Sequence, residues 1–192
     1  MQDRASSVCM LTAEKAESAG RLAEMLPEGT RWVIVSQDFV RELFAEKGCG
    51  LFGSCSQYLY TNKVFLPVRY KEIRRLTEED TPYVTAHYAH DTEEYVRERV
   101  RAGVMYGAFS GERQIGFIGI HTEGSMGLLY VEEEFRRRGV AEALEAFCAN
   151  RLLEKGFTPY GHIMEGNTPS EHLQEKLGFY RASRCVYWMS IT

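Results

Sequence analysis

Leu129-Tyr130-Val131-Glu132-Glu133-Glu134-Phe135-Arg136-Arg137-Arg138-Gly139-Val140-Ala141 is the stretch on which the reading of this chain turns. An apolar strand, Met126–Val131, runs through a short charged turn straight into a predicted helix from Gly139 to Lys155. That helix carries Val140, Leu144, Phe147, Cys148 and Leu152 on one stripe and stops at Gly156. The run Leu128-Leu129-Tyr130-Val131 predicts a strand buried on both faces. Successive backbone N–H groups at a helix start, here around Val140, form an anion site reinforced by the helix dipole. Gly139 and Ala141 carry almost no side chain, so a diphosphate can approach the backbone closely. The lysine of a Walker loop and the glycine spacing of a dinucleotide turn are both absent. Arg136–Arg138 alone, balanced by Glu132–Glu134, would read as a solvated run opening a surface helix. The strand before it and the small residues after it favour diphosphate binding.

Downstream lies a second ordered segment, Asn167-Thr168-Pro169-Ser170-Glu171-His172-Leu173-Gln174-Glu175-Lys176-Leu177-Gly178-Phe179. Thr168-Pro169-Ser170-Glu171 reads as a capping box with Pro169 at the first helical position, and Gly178 ends the helix. Asn167 sits just before that cap, where its amide can hydrogen-bond an extended ligand. In isolation the segment is an ordinary capped helix. Upstream, Ile73–Leu76 is strand-like, and Thr77 with Asp80 caps a long helical region reaching Arg101. Met105–Phe109 and Ile115–His121 are strands around a Gly-Glu turn. A strand ending near Glu165 and two final strands through Ser190 complete a mixed sheet with helices on its faces. Residues 1–68 read as a smaller α/β unit. It has a helix near Ala13–Met25, a strand Trp32–Val35 and a helix bearing Phe39, Val40, Leu43 and Phe44. A Gly/Cys/Ser loop over Gly48–Ser56 and a strand from Tyr58 to Phe65 follow, with Leu66-Pro67-Val68 as the boundary.

Together the two segments resemble the GNAT superfamily of N-acyltransferases. Arg136, Gly139 and Ala141 match its pyrophosphate turn, Gln/Arg-x-x-Gly-x-Gly/Ala. Asn167, Ser170, Leu177, Gly178 and Phe179 match its later motif. The resemblance covers about residues 70–192, and Gly-Phe-Ile-Gly-Ile-His extends it toward the branch containing glycine N-acyltransferases. It implies a GNAT-like mixed central sheet with flanking helices (69–192), and makes 1–68 a truncated relative of that branch's N-terminal domain. It also implies acetyl-CoA or another acyl-CoA as co-substrate, with no metal. The cofactor would lie between Met126–Val131 and the strand of about Phe157–Glu165. Backbone groups of Leu129 and Val131 would hold the pantetheine arm, and Arg136–Ala141 the pyrophosphate. Arg137 or Arg138 would take the ribose phosphate. The implied reaction is direct attack of a small-molecule or amino-acid amine on the thioester. A non-catalytic acyl-CoA sensor and a protein N-terminal or lysine acetyltransferase are the alternatives.

Attack by an amine needs a base. Glu123 and then His121, in the Gly-flanked segment before the cofactor strand, are the candidates, with Glu165 an outsider. Many relatives place a proton-donating tyrosine directly after Leu173. Here Gln174 stands there, an amide that cannot act as an acid. Tyr160 or Tyr180 would substitute, or the thiolate would leave unassisted. His87-Tyr88-Ala89-His90-Asp91 lacks the further ligands of a metal site. Cys148 and Tyr187-Trp188 read as core.

The 192 residues are 44% hydrophobic and 26% charged, with a net charge of −4. That balance gives no reason to expect a nucleic-acid partner. There is no signal-peptide core and no membrane-length apolar run, and five cysteines lack framework spacing. The expectation is a cytoplasmic protein without a membrane partner, with homodimer formation left open.

Overall fold

The computed structural model describes residues 8–89 and 92–191. The chain is a mixed α/β fold, with a large mixed sheet flanked by helices, and it divides into two compact units.

The first unit comprises residues 1–58, 162–172 and 181–192, so both ends of the chain contribute to it. Strand β1 (Val8–Leu11), helix α1 (Ala16–Glu24), strand β2 (Trp32–Val35), helix α2 (Asp38–Glu46) and strand β3 (Gly50–Leu59) follow in order. β1 runs parallel to β2, Val8 opposite Trp32 and Leu11 opposite Val35. β2 in turn runs antiparallel to the C-terminal strand, Tyr180–Ser190, with Val33 opposite Met189 and Ile34 opposite Trp188. The period of two along β2 divides its side chains. Val33 and Val35 pack with Ala19, Val40, Phe44 and Met189, whereas Ile34 turns to Cys55 and Val186.

Four features differ here from the expectation. β1 was not foreseen, because four residues are too short for a period to stand out. The expected Gly48–Ser56 loop is mostly strand, and the expected Tyr58–Phe65 strand ends at Leu59. The glycines that suggested a loop are sites of close approach inside a sheet. A Cβ on Gly50 would meet the Ser190 hydroxyl at 2.8 Å, and one on Gly53 would collide with the Met164 methyl. The two expected final strands are one continuous strand.

The second unit comprises residues 59–161 and 173–180. Strand β4 (Ile73–Arg75), helices α3 (Thr81–His87) and α4 (Glu93–Arg101), strands β5 (Met105–Ser110), β6 (Arg113–Ile120) and β7 (Met126–Val131), and helix α5 (Val140–Glu154) follow. Then come β8 (Tyr160–Met164), α6 (Thr168–Lys176) and β9 (Tyr180–Ser190), elements that the two units share. β4 to β7 form an antiparallel meander in the order β7-β6-β5-β4. Val84 of α3, with Val96 and Val100 of α4, packs against Met105, Phe117 and Leu128. Tyr106, one residue on and so on the opposite face, meets Phe147 of α5 at 5.2 Å between ring centroids. The sheet is therefore covered by α3 and α4 on one side and α5 on the other.

Thr77 and Asp80 form the expected capping box. The long helix expected after it is broken, because Tyr88 is extended and Thr92 starts α4 with its own cap, accepting from Tyr95 N–H at 3.2 Å. Burial on both faces belongs to β6, which is buried from Gln114 to Ile120. β7 instead leaves Leu129 and Tyr130 half-exposed.

Candidate active site

The cofactor strand expected from the sequence is β7, and it is bulged. Gly119 opposes Gly127 and Phe117 opposes Tyr130, so Leu128 and Leu129 together face Ile118. The extra residue is accommodated by Leu128 at φ +49, a left-handed conformation that costs a non-glycine residue on the order of 1 kcal/mol or more. Its buried side chain, 2% exposed among the α3–α4 core residues, holds it there. A bulge re-aims the backbone that follows, here Leu129 to Val131. On its other edge β7 pairs with β8 in parallel at Met126 and Gly161, the one register pair between them among the described residues. Beyond Met126, no register pair joins Leu129–Val131 to β8 among the described residues.

β7 leads into a turn with two left-handed residues, Arg137 at φ +58 and Gly139 at φ +80, and α5 begins at Val140. A Cβ on Gly139 would meet nothing within 4 Å, so the mouth of the turn is open. Only glycine takes this backbone without strain. The three arginines divide their work. Arg136 folds back, its Nε donating to the Val131 carbonyl at 3.0 Å, and so braces the end of β7. Arg137 and Arg138 are exposed, and Arg138 lies over the Phe135 ring. A recess of about 240 Å³ beside the turn is lined by Arg69, Tyr70, Arg138, Gly139 and Glu142.

Two of the three acidic residues before the turn are bonded to Arg113 on the neighbouring strand. Glu132 accepts from Tyr83 Oη at 2.9 Å and from Arg113, and Glu134 accepts from Arg113 at 2.6 Å. Glu132 and Glu134 thus pair with Arg113, not with Arg136–Arg138. The positive turn at the start of a helix of 15 residues is suited to a diphosphate.

At the other end of β7 lies the segment His121–Ser125. The His121 N–H donates to the Ser125 carbonyl at 2.8 Å and Gly124 N–H to the His121 carbonyl at 3.0 Å, forming a tight turn. The imidazole folds over Gly127 so closely that a Cβ there would collide with Nε2. Nδ1 lies 2.8 Å from Tyr95 Oη on α4. Burial pushes the His121 pKa below its ordinary value, Glu123 opposes that shift and Arg99 adds to it. The ring is therefore neutral at pH 7, as a base must be. The Glu123 carboxylate accepts from the buried Ser125 hydroxyl at 2.5 Å. Tyr160 Oη donates to the Glu123 carbonyl at 2.6 Å, and burial with the nearby Glu123 charge pushes its pKa up to about 12. The Tyr160 proton is thus engaged by a backbone carbonyl of the same segment. Tyr180 is 62% exposed, and Glu165 is exposed with its backbone N–H on the Ser54 carbonyl.

Asn167, not Thr168, caps α6. Its Oδ1 accepts from Ser170 N–H at 3.3 Å, and its carbonyl takes Ser170 and Glu171 N–H at 3.1 Å. Asparagine outranks threonine as a cap, which moves Thr168 and Pro169 one place into the helix. Gln174 is 4% exposed and bonds to Glu145 of α5, itself 5% exposed. Burial, partly offset by that hydrogen bond, pushes the Glu145 pKa up to about 7. Glu145 Oε2 and Gln174 Oε1 have no other partner. Burial thus favours the protonated form of Glu145, whose hydroxyl can donate where a carboxylate cannot.

Of the other residues weighed, His87 Nδ1 is taken by the Tyr83 carbonyl at 2.8 Å, while His90 and Asp91 lie outside the described residues. No group of three or more metal-ligating side chains occurs among the described residues. Tyr95, Arg113 and Glu145 escaped the sequence reading because their partners are distant along the chain. Ser125 alone carried a local signal, a hydroxyl two residues after Glu123.

Residues 106–189 match the family model described as FR47-like protein. A Drosophila protein of known structure is similar to this chain with a TM-score of 0.76 and 22% identity, over 98% of this chain and 72% of that one. A GNAT-family protein from Novosphingobium aromaticivorans gives 0.63 and 20%, over 91% and 80%. A GNAT acetyltransferase from Colwellia psychrerythraea gives 0.62 and 12%, over 92% and 72%. No curated protein matches the sequence. The fold of this chain is thus that of proteins described as GNAT acetyltransferases, and its second half matches the FR47-like model.

Proposed function

We propose that this chain moves an acetyl or other short acyl group from acyl-CoA to a primary amine of a small molecule or amino acid. The observation that carries the reading is β7 itself, bulged at Leu128, with His121 and Glu123 at its start and an open turn bearing exposed Arg137 and Arg138 at its end. Leu129 and Val131 hold the pantetheine amides, and the backbone of Gly139, Val140 and Ala141 takes the pyrophosphate. Arg137 and Arg138 supply charge, while Arg136 holds the turn in shape. Asn167 and Ser170 act through the start of α6. Residues 69–192 carry the chemistry, and residues 1–68, a small α/β unit, serve the fold. The protein works in the cytoplasm.

Acyl-CoA supplies a thioester already activated for attack. The amine nitrogen bonds to the acyl carbon, the C–S bond breaks, and coenzyme A leaves as thiolate with the electron pair. A thiol with a pKa of about 8.5 is a fair leaving group, so Gln174 in place of an acid is tolerable. The proton lost by the amine goes to His121 Nε2, and Glu123 steadies the imidazolium that forms. If Glu123 takes the proton itself, His121 serves as its neutral neighbour. Positioning provides most of the remaining acceleration.

Gly139→Val places a branched side chain in a left-handed turn at the diphosphate. It should weaken CoA binding at least tenfold, about 1.4 kcal/mol, by calorimetry, with the melting curve preserved. Unchanged affinity in a folded variant overturns the site. The buried Gln174 favours a second reading, a non-catalytic acyl-CoA sensor. Turnover of acetyl-CoA against a panel of small amines decides between the two.

A further inference from the structure

The His121 ring has two nitrogens, and only one of them can receive a proton from an amine at β7. Nε2 is the atom against Gly127, and Nδ1 points away from β7 toward α4, where Tyr95 Oη waits at 2.8 Å. The two rings are stacked, with centroids 6.0 Å apart and planes 24° from parallel, so the phenol fixes the imidazole's tilt as well as its hydrogen bond. Thr122 N–H, which can only donate, lies 3.4 Å from the same oxygen.

We infer that Tyr95 is the positioning residue of this site: its oxygen accepts Nδ1–H of His121 and so fixes the tautomer whose Nε2 lone pair faces Gly127. The inference rests on His121 as the base proposed above. The direction of the hydrogen bond follows from the reaction cycle. A phenol that donated to Nδ1 would put the ring's proton on Nε2, and the ring could not act as a base toward β7. Once His121 has taken a proton, both nitrogens donate, and Tyr95 must accept. A tyrosine that accepts in both states keeps one geometry throughout turnover, with no reorganisation when charge appears. The proton from the amine then moves to Nε2, and Nδ1–H stays where it was.

The charges around the ring suit this assignment. Glu123, on the same segment, favours the imidazolium, whereas Arg99 of α4, whose guanidinium lies 5.9 Å from the centre of the Tyr95 ring, disfavours it. Arg99 also carries an ion pair with Glu98 at 2.6 Å. Burial is the main cause that lowers the pKa of the ring, and Arg99 adds to it, so the ring waits neutral and charges only as the amine is consumed. Gly127 has a matching reason to be glycine, since a side chain there would push Nε2 away from the strand.

The test uses the full-length protein with 15N-labelled histidines, His121 being assigned among the five histidines by its loss in His121→Ala. Long-range 15N–1H spectra at pH 7.5 (about one unit above the ordinary histidine pKa) should show Nδ1 protonated and Nε2 bare. In Tyr95→Phe, which keeps the stacked ring, the two nitrogens should average toward the solution mixture. Its kcat should fall about tenfold or more as a share of the base's contribution, with KM for acetyl-CoA unchanged and the acid limb of the pH profile displaced. A proton on Nε2 in the wild type overturns the inference. So does a Tyr95→Phe enzyme with wild-type tautomer and pH profile, while His121→Ala is slow, and in that case the base assignment stands. Normal turnover by His121→Ala overturns the base assignment and this role with it.

Discussion

Glu123 and Glu145 are both carboxylates near the candidate site, and their surroundings hold them differently. Glu123 is half-buried, bonded to Ser125, and raises the pKa of His121. In Glu123→Gln that support is gone, so the His121 pKa drops further. The acid limb of kcat/KM should move to lower pH while the plateau falls, because a weaker base accepts the proton less readily. Should Glu123 itself be the base, the limb disappears and the rate climbs with pH as the amine deprotonates in solution. A pH–rate profile of the one variant separates these outcomes. Glu145 is enclosed, and its folded pKa of about 7 stands above the ordinary 4.5. Between those values the folded chain holds a proton that the unfolded chain releases, so stability falls as pH rises through that window. By pH 8 the loss is about 3 kcal/mol. Glu145→Gln keeps an amide pairing with Gln174 and should recover most of that at pH 8 while changing little at pH 5, as urea titrations at the two pH values would show. Equal effects at both would mean that Glu145 is not held as the neutral acid.

At the scale of elements, strand, turn and helix act as one device, and the charge on its turn depends on a residue from the neighbouring strand. Arg113 at the start of β6 bonds to Glu132 and Glu134 and leaves Arg137 and Arg138 facing solvent. In Arg113→Ala those carboxylates are released beside the turn. CoA affinity should fall about threefold to tenfold, ~0.7–1.4 kcal/mol, and less so at high salt, which screens the freed acids. Calorimetry at two ionic strengths checks this, and no change at low salt would remove Arg113 from the account. The strand–turn–helix itself was legible in the sequence because its signals are local: an apolar run, a glycine and a periodic stripe. The bulge was not, since Leu128 at φ +49 is held by packing on α3 and α4, and no pattern within β7 announces a left-handed leucine. The Gly50–Leu59 strand was hidden in the same way, its glycines answering to Ser190 and Met164 far along the chain. His121 and Glu123 were legible as a Gly-flanked pair of candidate bases. Their holders were legible only in part, because Tyr95 lies 26 residues from His121.

At the scale of the whole molecule, the first compact unit is built from both ends of the chain, residues 1–58 sharing it with 162–172 and 181–192. β9 ends as the antiparallel partner of β2, with Met189 opposite Val33, each 1% exposed or less. On the other face of that pair, Val186 packs with Ile34 and Cys55. A chain beginning at residue 69 would lose β1, β2, β3, α1 and α2, leaving Val186 and Met189 uncovered and the edge of β9 without its ladder. Uncovering a fully buried aliphatic side chain costs about 1.5–3 kcal/mol, and an unpaired apolar edge invites association between copies. Domains of this kind have total stabilities of about 5–15 kcal/mol, so the loss of several such contacts is a large share. The expected outcome is that a 69–192 fragment is recovered as aggregate or melts far below the full chain, and that it binds CoA only weakly. Limited proteolysis of the full chain should likewise spare the segment from β1 to β3 while the rest stays intact. The helices are the reason for expecting protection as well as stability. Val40 and Phe44 of α2 and Ala19 of α1 are almost fully buried against Val33, Val35 and Met189, so cleavage within α1 or α2 requires the unit to open. A stable 69–192 fragment with full CoA affinity would show instead that the N-terminal elements are an appendage, and that β9 holds its place without β2.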